Sequence, residues 1–498
     1  MPQIRNPAVK LKEITQSKFV QFFYASLALT VICAWFSIGF HQADEHFQVL
    51  EFCNYKLGHL SFADSPWELQ QKVRSTLLPD IAFLLVKGMD VIGLFNPFIV
   101  AFILRFIAGI LSWFIVCKLC VLLAPQFKTR QGEKLFILMS LFLWFVPYLS
   151  VRFTAENVSG VVFLYGVYAI LRHNEKASSC ILAGLLFGIS FFIRFQFAFA
   201  IIGLVAWLFF IKKTKVKFIF IMALSAMVAI GFNVLLDYWF YGQWVFTPFN
   251  YFYINIVQHK AAYFGVMPWW FYIPEFLMEA VPPISVFLAI AFIYGIAKNI
   301  KNPFVWIIIP FIASHFFIGH KEMRFLFPIV FIFIYCCAIG IDSFLAKNIY
   351  QKTFRFIYKL SIIICIPVLI YRTLIPAQVP VSYSEYLYHN SASEGNTLLV
   401  LNKDCDMTIN GLFSGFYKAP GMSIVKIDSV QQVKKYMEDN GLKSALFFYK
   451  ENNDLSTYLS GYKTEVAYCF FPAWLLKFDI NHWVERSAVW KFYRINKS

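Results

Sequence analysis

Apolar residues in this chain come in long runs separated by short polar breaks, the pattern of membrane-spanning helices rather than of the one-sided stripes of a water-soluble fold. The first run, Phe19 to Phe40, follows a polar start bearing Arg5, Lys10, Lys12 and Lys18, and it reads as an uncleaved span whose N-terminus is cytoplasmic. Further spans are predicted near 79–95, 98–124, 135–150, 158–171, 178–193, 195–211, 218–236, 281–297, 303–319, 325–346 and 357–376. Several fall short of the ~20 residues of a straight crossing. An even count of twelve would return the tail to the N-terminal side, so one segment between 79 and 150 has to be split, re-entrant or interfacial, and the total is 11–13.

Two polar insertions are too long to be connectors. Residues 41–78 mix Phe47, Leu50, Phe52 and Leu57 with charged positions and predict amphipathic helices at the membrane surface, the second starting at Ser65-Pro66. Residues 237–280 are dense in Tyr and Trp, which suits either an interfacial belt or platforms on which sugars stack. After Pro376 the pattern changes. The runs NTLLVLN, MSIVKI, SALFFY and AVWKFYRI predict strands around a helix from Val430 to Asp439 that stops at Asn440-Gly441. The expected organisation is a membrane module, 1–376, followed by a small non-cytoplasmic α/β domain, 377–498.

Composition agrees with lipid as the main solvent: 59% of residues are hydrophobic, only 14% are charged, and Phe alone supplies 59 positions. The formal charge of +16 is not a nucleic-acid signature, because the tail after 376 carries thirteen Lys and Arg against twelve Asp and Glu, leaving +15 for the first 376 residues. There the basic residues sit in short loops, as at Lys212, Lys213, Lys215 and Lys217, the bias of cytoplasmic connections. That bias puts 41–78, 237–280, the 319–324 turn and the tail on the opposite face. The cysteines lie mostly within apolar runs without metal-ligand spacing, as at Cys117, Cys120, Cys336 and Cys337; spacing leaves a Cys405–Cys469 disulfide open.

Charged residues beside spans are costly to desolvate and therefore informative. On the non-cytoplasmic side they are Asp44 and Glu45, Arg152 and Glu156, Arg194, Asp237, and His320, Lys321, Glu322 and Arg324. All fall at span ends, none at a span's midpoint, where a transporter would place them. Carboxylates near cations suit a reaction in which an alcohol is deprotonated and a phosphate departs as charge develops.

In order along the chain, HQADEHFQVLE, PWELQQKVRSTLLP, RFTAENVS, LAGLLFGISFFIRFQ, DYWFYGQWVFTPFNYFYIN, FGVMPWWFY and GHKEMRFLFPI resemble the glycosyltransferase family 22 mannosyltransferases, multispan GT-C enzymes that use dolichyl-phosphate-mannose. The resemblance covers about 35–335 and departs from the family pattern at His41-Gln42-Ala43 and at Phe195-Gln196. It implies a GT-C fold with Asp44 as the catalytic carboxylate and Glu45 beside it. Independently of the resemblance, Glu45 is expected to pair with a cation such as Lys321 or Arg324. His320, Lys321, Glu322 and Arg324, with Arg152 and Arg194, are expected on the donor phosphate. Trp67, Asp237, Asn250, Trp269 and Trp270 are expected on the acceptor sugar.

The expected activity is inverting transfer of mannose from a polyprenyl (dolichyl) phosphate to a lipid-linked glycan. The expected partners are the donor, the acceptor and membrane lipid, with no nucleic acid. Neither cofactor nor metal is expected: no nucleotide-sugar fold is evident, and the Asp404/Asp406 pair lies in the tail. Localisation would be the endoplasmic reticulum membrane in a eukaryote or the inner membrane in a bacterium. A lipid-linked oligosaccharide flippase or transporter is the alternative.

Overall fold

Among the described residues, all regular structure before Thr397 is helical. The computed structural model describes residues 17–347, 351–394, 396–402, 415–450, 455, 458–487 and 489–497. Helix is what a bilayer imposes, because it satisfies backbone N–H and C=O groups within one segment. Four stretches are long and apolar enough to cross: Pro97–Gln126, Val216–Tyr241, Met323–Leu345 and Phe356–Asn390. Ile284–Lys298 and Pro303–Phe317 form a pair bent by 119°, and shorter apolar helices occupy Val20–Phe36, Ala177–Ile193 and Phe197–Ile211. Along Val216–Tyr241, the exposed Val216, Phe220, Leu224, Val228, Phe232 and Leu235 recur every three or four positions. So continuous an apolar stripe requires lipid to cover it. The chain is an integral membrane protein.

Two compact units divide the chain. The first comprises Met1–Ser37, Asp44–Leu94 and Val100–Ile375, the second Ile38–Ala43, Phe95–Ile99 and Pro376–Ser498. The first is built on buried rings that include Phe136, Phe163, Phe187, Phe197, Phe304, Phe311 and Tyr335. Small residues let its helices approach closely. A Cβ on Gly295 would lie 2.0 Å from the Cys336 carbonyl oxygen, and one on Gly340 would lie 2.0 Å from that of Ala291, so the two helices cross backbone against backbone.

The segment expected as one span at 135–150 is two helices, Arg130–Phe142 and Phe145–Ser150. Pro147 explains the break. It has no N–H for the carbonyl of Leu143, and its ring would clash there; Leu143 leaves the helix at ψ 130°. The insertion at 41–78 also differs from the surface helices expected of it. It forms three short helices, Ala43–Phe47, Leu50–Lys56 and Trp67–Gln70, that pack inward. Phe52 and Leu69 bury against Phe240, while the buried polar residues bond to one another, His46 Nε2 to Glu51 Oε1 at 2.8 Å and Asn54 Nδ2 to Glu51 Oε2 at 3.2 Å.

The second unit holds a five-stranded sheet: β1 (Thr397–Leu401), β2 (Ser423–Ile427), β3 (Ser444–Tyr449), β4 (Tyr462–Tyr468) and β5 (Lys491–Lys497), in the order β2-β1-β3-β5-β4. The first three strands run parallel, and β5 is antiparallel to both β3 and β4. A helix at Val430–Asp439 ends before Gly441, whose φ of +63° supplies the left-handed turn that the Asn440-Gly441 signal predicts. Strand β4 escaped the sequence reading because YKTEVAY carries charges through its middle.

Candidate active site

Asp44 and Glu45 sit in the five-residue helix Ala43–Phe47. Adjacent helical residues point about 100° apart, and these two find different partners. Asp44 Oδ2 lies 2.7 Å from Arg324 Nη1, and its side chain keeps 30% of its exposure. Glu45 turns inward, 3.6 Å from Arg152 Nη1. Arg152 in turn donates through Nη2 to the Ser37 carbonyl at 2.7 Å and to Ser37 Oγ.

Arg324 is the hub. Its Nε and Nη2 donate to Glu322 Oε2 and Oε1 at 2.7 and 2.8 Å, a two-pronged grip that a planar guanidinium makes and an ammonium cannot. Glu156 Oε1 stands 3.9 Å from Arg324 Nη1 and accepts from Arg194 Nη1 at 2.8 Å. Glu156 lies in the first turn of Ala155–Arg172, where a helix favours a negative charge and where Thr154 Oγ1 caps the backbone N–H of Asn157 at 3.1 Å.

The turn before Arg324 ties this cluster to the long loop. His320 Nδ1 faces the Gly265 carbonyl and Nε2 faces Glu322 Oε1, each at 3.0 Å. Lys321 directs its ammonium to the carbonyls of Met267, at 3.3 Å, and Ile318. Burial lowers its pKa accordingly. For Glu322, burial alone would raise the carboxyl, but the hydrogen bonds and charge of Arg324, then those of His320, outweigh it and hold the group below the usual carboxylate range.

Two further residues, Glu68 and Arg74, belong to the cluster; the sequence marked Glu68 only as part of a helix start and did not single out Arg74. Arg74 donates to Glu68 Oε1 through Nε at 3.0 Å and Nη2 at 2.7 Å, and Nη2 is 3.9 Å from Asp44 Oδ2. Burial pushes the Glu68 carboxyl up despite the charge of Arg74, and the negative charge of Asp44 adds to the rise. The quoted run PWELQQKVRSTLLP contains both residues. Their pairing shows only when the loop is folded.

The residues expected on the acceptor have different surroundings. Trp67 stacks on Phe264 at 5.8 Å with Lys260 Nζ 5.6 Å from its ring. Trp270 is half exposed. Trp269 lines an open apolar groove of about 440 Å³ with Ile296, Ile308, Ile312 and Phe316. Asp237 and Asn250 are bonded to the protein itself. Asp237 Oδ1 accepts from Thr76 N and Thr76 Oγ1, each at 2.9 Å, and its Oδ2 accepts from Thr247 Oγ1 at 2.8 Å. Asn250 Nδ2 donates to the Lys72 carbonyl at 3.3 Å. Among the described residues, no three His, Cys, Asp or Glu side chains cluster so as to hold a metal. Asp404, Asp406 and Cys405 lie outside the described residues.

Membrane helices linked by long loops that bring carboxylates and guanidiniums together make up this part of the chain, and its likeness to a solved enzyme gives the fold class as GT-C. The chain is similar in fold to ArnT from Cupriavidus metallidurans, solved bound to undecaprenyl phosphate and in the apo state. The TM-scores are 0.51 and 0.50 at 9% and 10% identity, covering 96% and 95% of this chain and 98% and 97% of those. Residues 21–401 match the Alg9-like mannosyltransferase family, and the chain belongs to that family. GPI mannosyltransferase 3 of Debaryomyces hansenii is 26% identical over 70% of this chain and 64% of its own length. The protein of the same name from Candida albicans is 27% identical over 62% of this chain and 61% of its own length. A probable Dol-P-Man:Man(7)GlcNAc(2)-PP-Dol alpha-1,6-mannosyltransferase of Schizosaccharomyces pombe is 25% identical over 69% of this chain and 62% of its own length. The chain thus spans a little under two thirds of the length of these relatives. The transporter alternative gains no support from them.

Proposed function

We propose that the chain is an inverting glycosyltransferase that moves mannose from a polyprenyl-phosphate donor to a lipid-linked glycan. The observation that carries this reading is the 2.7 Å pairing of the partly exposed Asp44 carboxylate with Arg324, both within the residues that match the family. In the reaction, the acceptor hydroxyl gives its proton to Asp44 as its oxygen attacks the anomeric carbon from the face opposite the phosphate. The anomeric C–O bond breaks with its electron pair staying on the phosphate, and Arg324 stabilises the charge that develops there. A single in-line displacement turns a β-linked donor into an α-linked product. The names of the relatives support dolichyl-phosphate-mannose as donor and a lipid-linked oligosaccharide or GPI precursor as acceptor. The isoprenoid tail suits the apolar groove beside Trp269, and the membrane is the endoplasmic reticulum in a eukaryotic host.

Transfer of radiolabelled mannose from polyprenyl-phosphate-mannose to extracted lipid acceptors, by membranes holding the chain, tests this reading. Labelled lipid product is the expected result; its absence with every such acceptor refutes the proposal. The reading also fixes sidedness. Lys215→Cys should react with an impermeant maleimide only from the cytoplasmic face, and Cys at the exposed Tyr263 only from the opposite one. Labelling of both from the same face would overturn the topology.

A further inference from the structure

The loop that carries Arg74 is held from several sides by residues of one stretch, 237–251. Asp237, fully buried, accepts the backbone N–H and the hydroxyl of Thr76. Tyr241 donates its phenolic hydrogen to the Arg74 carbonyl at 2.8 Å, and Asn250 donates to the Lys72 carbonyl at 3.3 Å. The Tyr251 ring lies 5.2 Å from the Arg74 guanidinium, and its hydroxyl accepts from Gln196 Nε2 at 2.9 Å. Lys72 itself adopts a φ of +51°, a left-handed backbone that costs an ordinary residue energy and persists only where its surroundings impose it. The folded effect of the 237–251 stretch is therefore to fix where Arg74 stands.

Where it stands is beside Asp44, which Arg324 also reaches. Both guanidiniums reach the same oxygen, Asp44 Oδ2, Arg324 at 2.7 Å and Arg74 at 3.9 Å. Glu68 engages one edge of the Arg74 fork and Glu322 one edge of the Arg324 fork, which orients both planes. This differs from Arg152, whose side chain is nearly inaccessible and whose charge is spent on Glu45.

We propose that Arg74 is a second anion-binding residue of the donor site, gripping the polyprenyl phosphate together with Arg324, and that Asp237, Tyr241, Asn250 and Tyr251 position it. The proposal rests on the glycosyl-transfer reading above. It accounts for the charge balance of the step. As Asp44 accepts the acceptor's proton it loses one negative charge, and as the anomeric C–O bond breaks the phosphate gains one. Two guanidiniums that reach both groups keep their partners throughout, so little reorganisation is needed at the moment of transfer.

The test uses the 498-residue chain in lipid nanodiscs, with polyprenyl-phosphate-mannose as donor and polyprenyl phosphate as inhibitor. Arg74→Lys keeps the charge and loses the fork. It should raise the donor KM and the inhibition constant of polyprenyl phosphate about tenfold while leaving the acceptor KM unchanged. Tyr241→Phe removes only the hydrogen bond to the Arg74 carbonyl and should move the same two constants by roughly two- to fivefold. If an assembled Arg74→Lys protein keeps wild-type donor KM and inhibition, Arg74 does not touch the donor. Should that variant not assemble, an unchanged donor KM in Tyr241→Phe overturns the proposal. If the wild-type chain transfers no sugar, the functional reading fails on its own. Polyprenyl phosphate binding, read as a rise in melting temperature of wild type but not of Arg74→Lys, then still decides whether Arg74 binds the anion.

Discussion

Asp44→Asn is expected to lower sugar transfer by ~10²–10⁴-fold, the range that a positioned general base contributes, while expression and donor-lipid binding stay near the wild-type level. Asn keeps the size of the side chain and an oxygen that can still accept from Arg324, so what the substitution removes is basicity. Glu45→Gln provides the contrast. Glu45 is directed into the protein at Arg152, and its side chain keeps only 9% of its exposure. Its loss should therefore lower the melting temperature more than it lowers the rate, with transfer falling less than about tenfold, below the general-base range. Initial rates with labelled donor, together with melting curves of the same preparations, separate the two. An Asp44→Asn protein that retains more than about a tenth of the wild-type rate, well outside the range of general-base effects, would return the assignment to Glu45.

The second large effect is expected from Arg324→Lys, with transfer reduced by ~10²-fold or more, the cost of removing one preorganised donor from a developing anion. The argument is geometric. Arg324 holds both oxygens of Glu322 with Nε and Nη2 while Nη1 reaches Asp44, so one planar group spans three carboxylate oxygens. A lysine ammonium at the same place meets one of these carboxylates well and releases the other. Inhibition by polyprenyl phosphate should weaken in parallel. Wild-type turnover and inhibition in an assembled Arg324→Lys protein would make Arg324 a purely structural residue.

The long apolar runs determined by themselves that the chain is a helical membrane protein, because a bilayer leaves a hydrophobic segment almost no other way to satisfy its backbone. For the same reason the sequence reading came close on Val216–Tyr241, where it missed the first two residues and the last turn, and on Ala177–Ile193, where it missed only the first residue. The strand runs after Pro376 were legible too, apart from β4, whose polar faces hide the alternation. The charges of the candidate cluster were visible as a list, apart from Arg74, since a charged residue beside a span is conspicuous.

Pairing was not legible. Whether Glu45 meets Arg152 or Arg324 depends on the direction in which a five-residue helix enters the fold, and no local pattern encodes that direction. Arg74 and Glu68 lay in a stretch that reads as an amphipathic surface helix; a break at Lys72 and the anchors from Asp237, Tyr241 and Asn250 turn it instead into a loop beside Asp44. The sequence thus determined the solvent, the helices and the inventory of charges, which follow from composition and period along the chain. Only the tertiary structure decided which carboxylate stands open between two guanidiniums. That choice is made by contacts between segments far apart in sequence, and ion pairs have no periodicity to announce them.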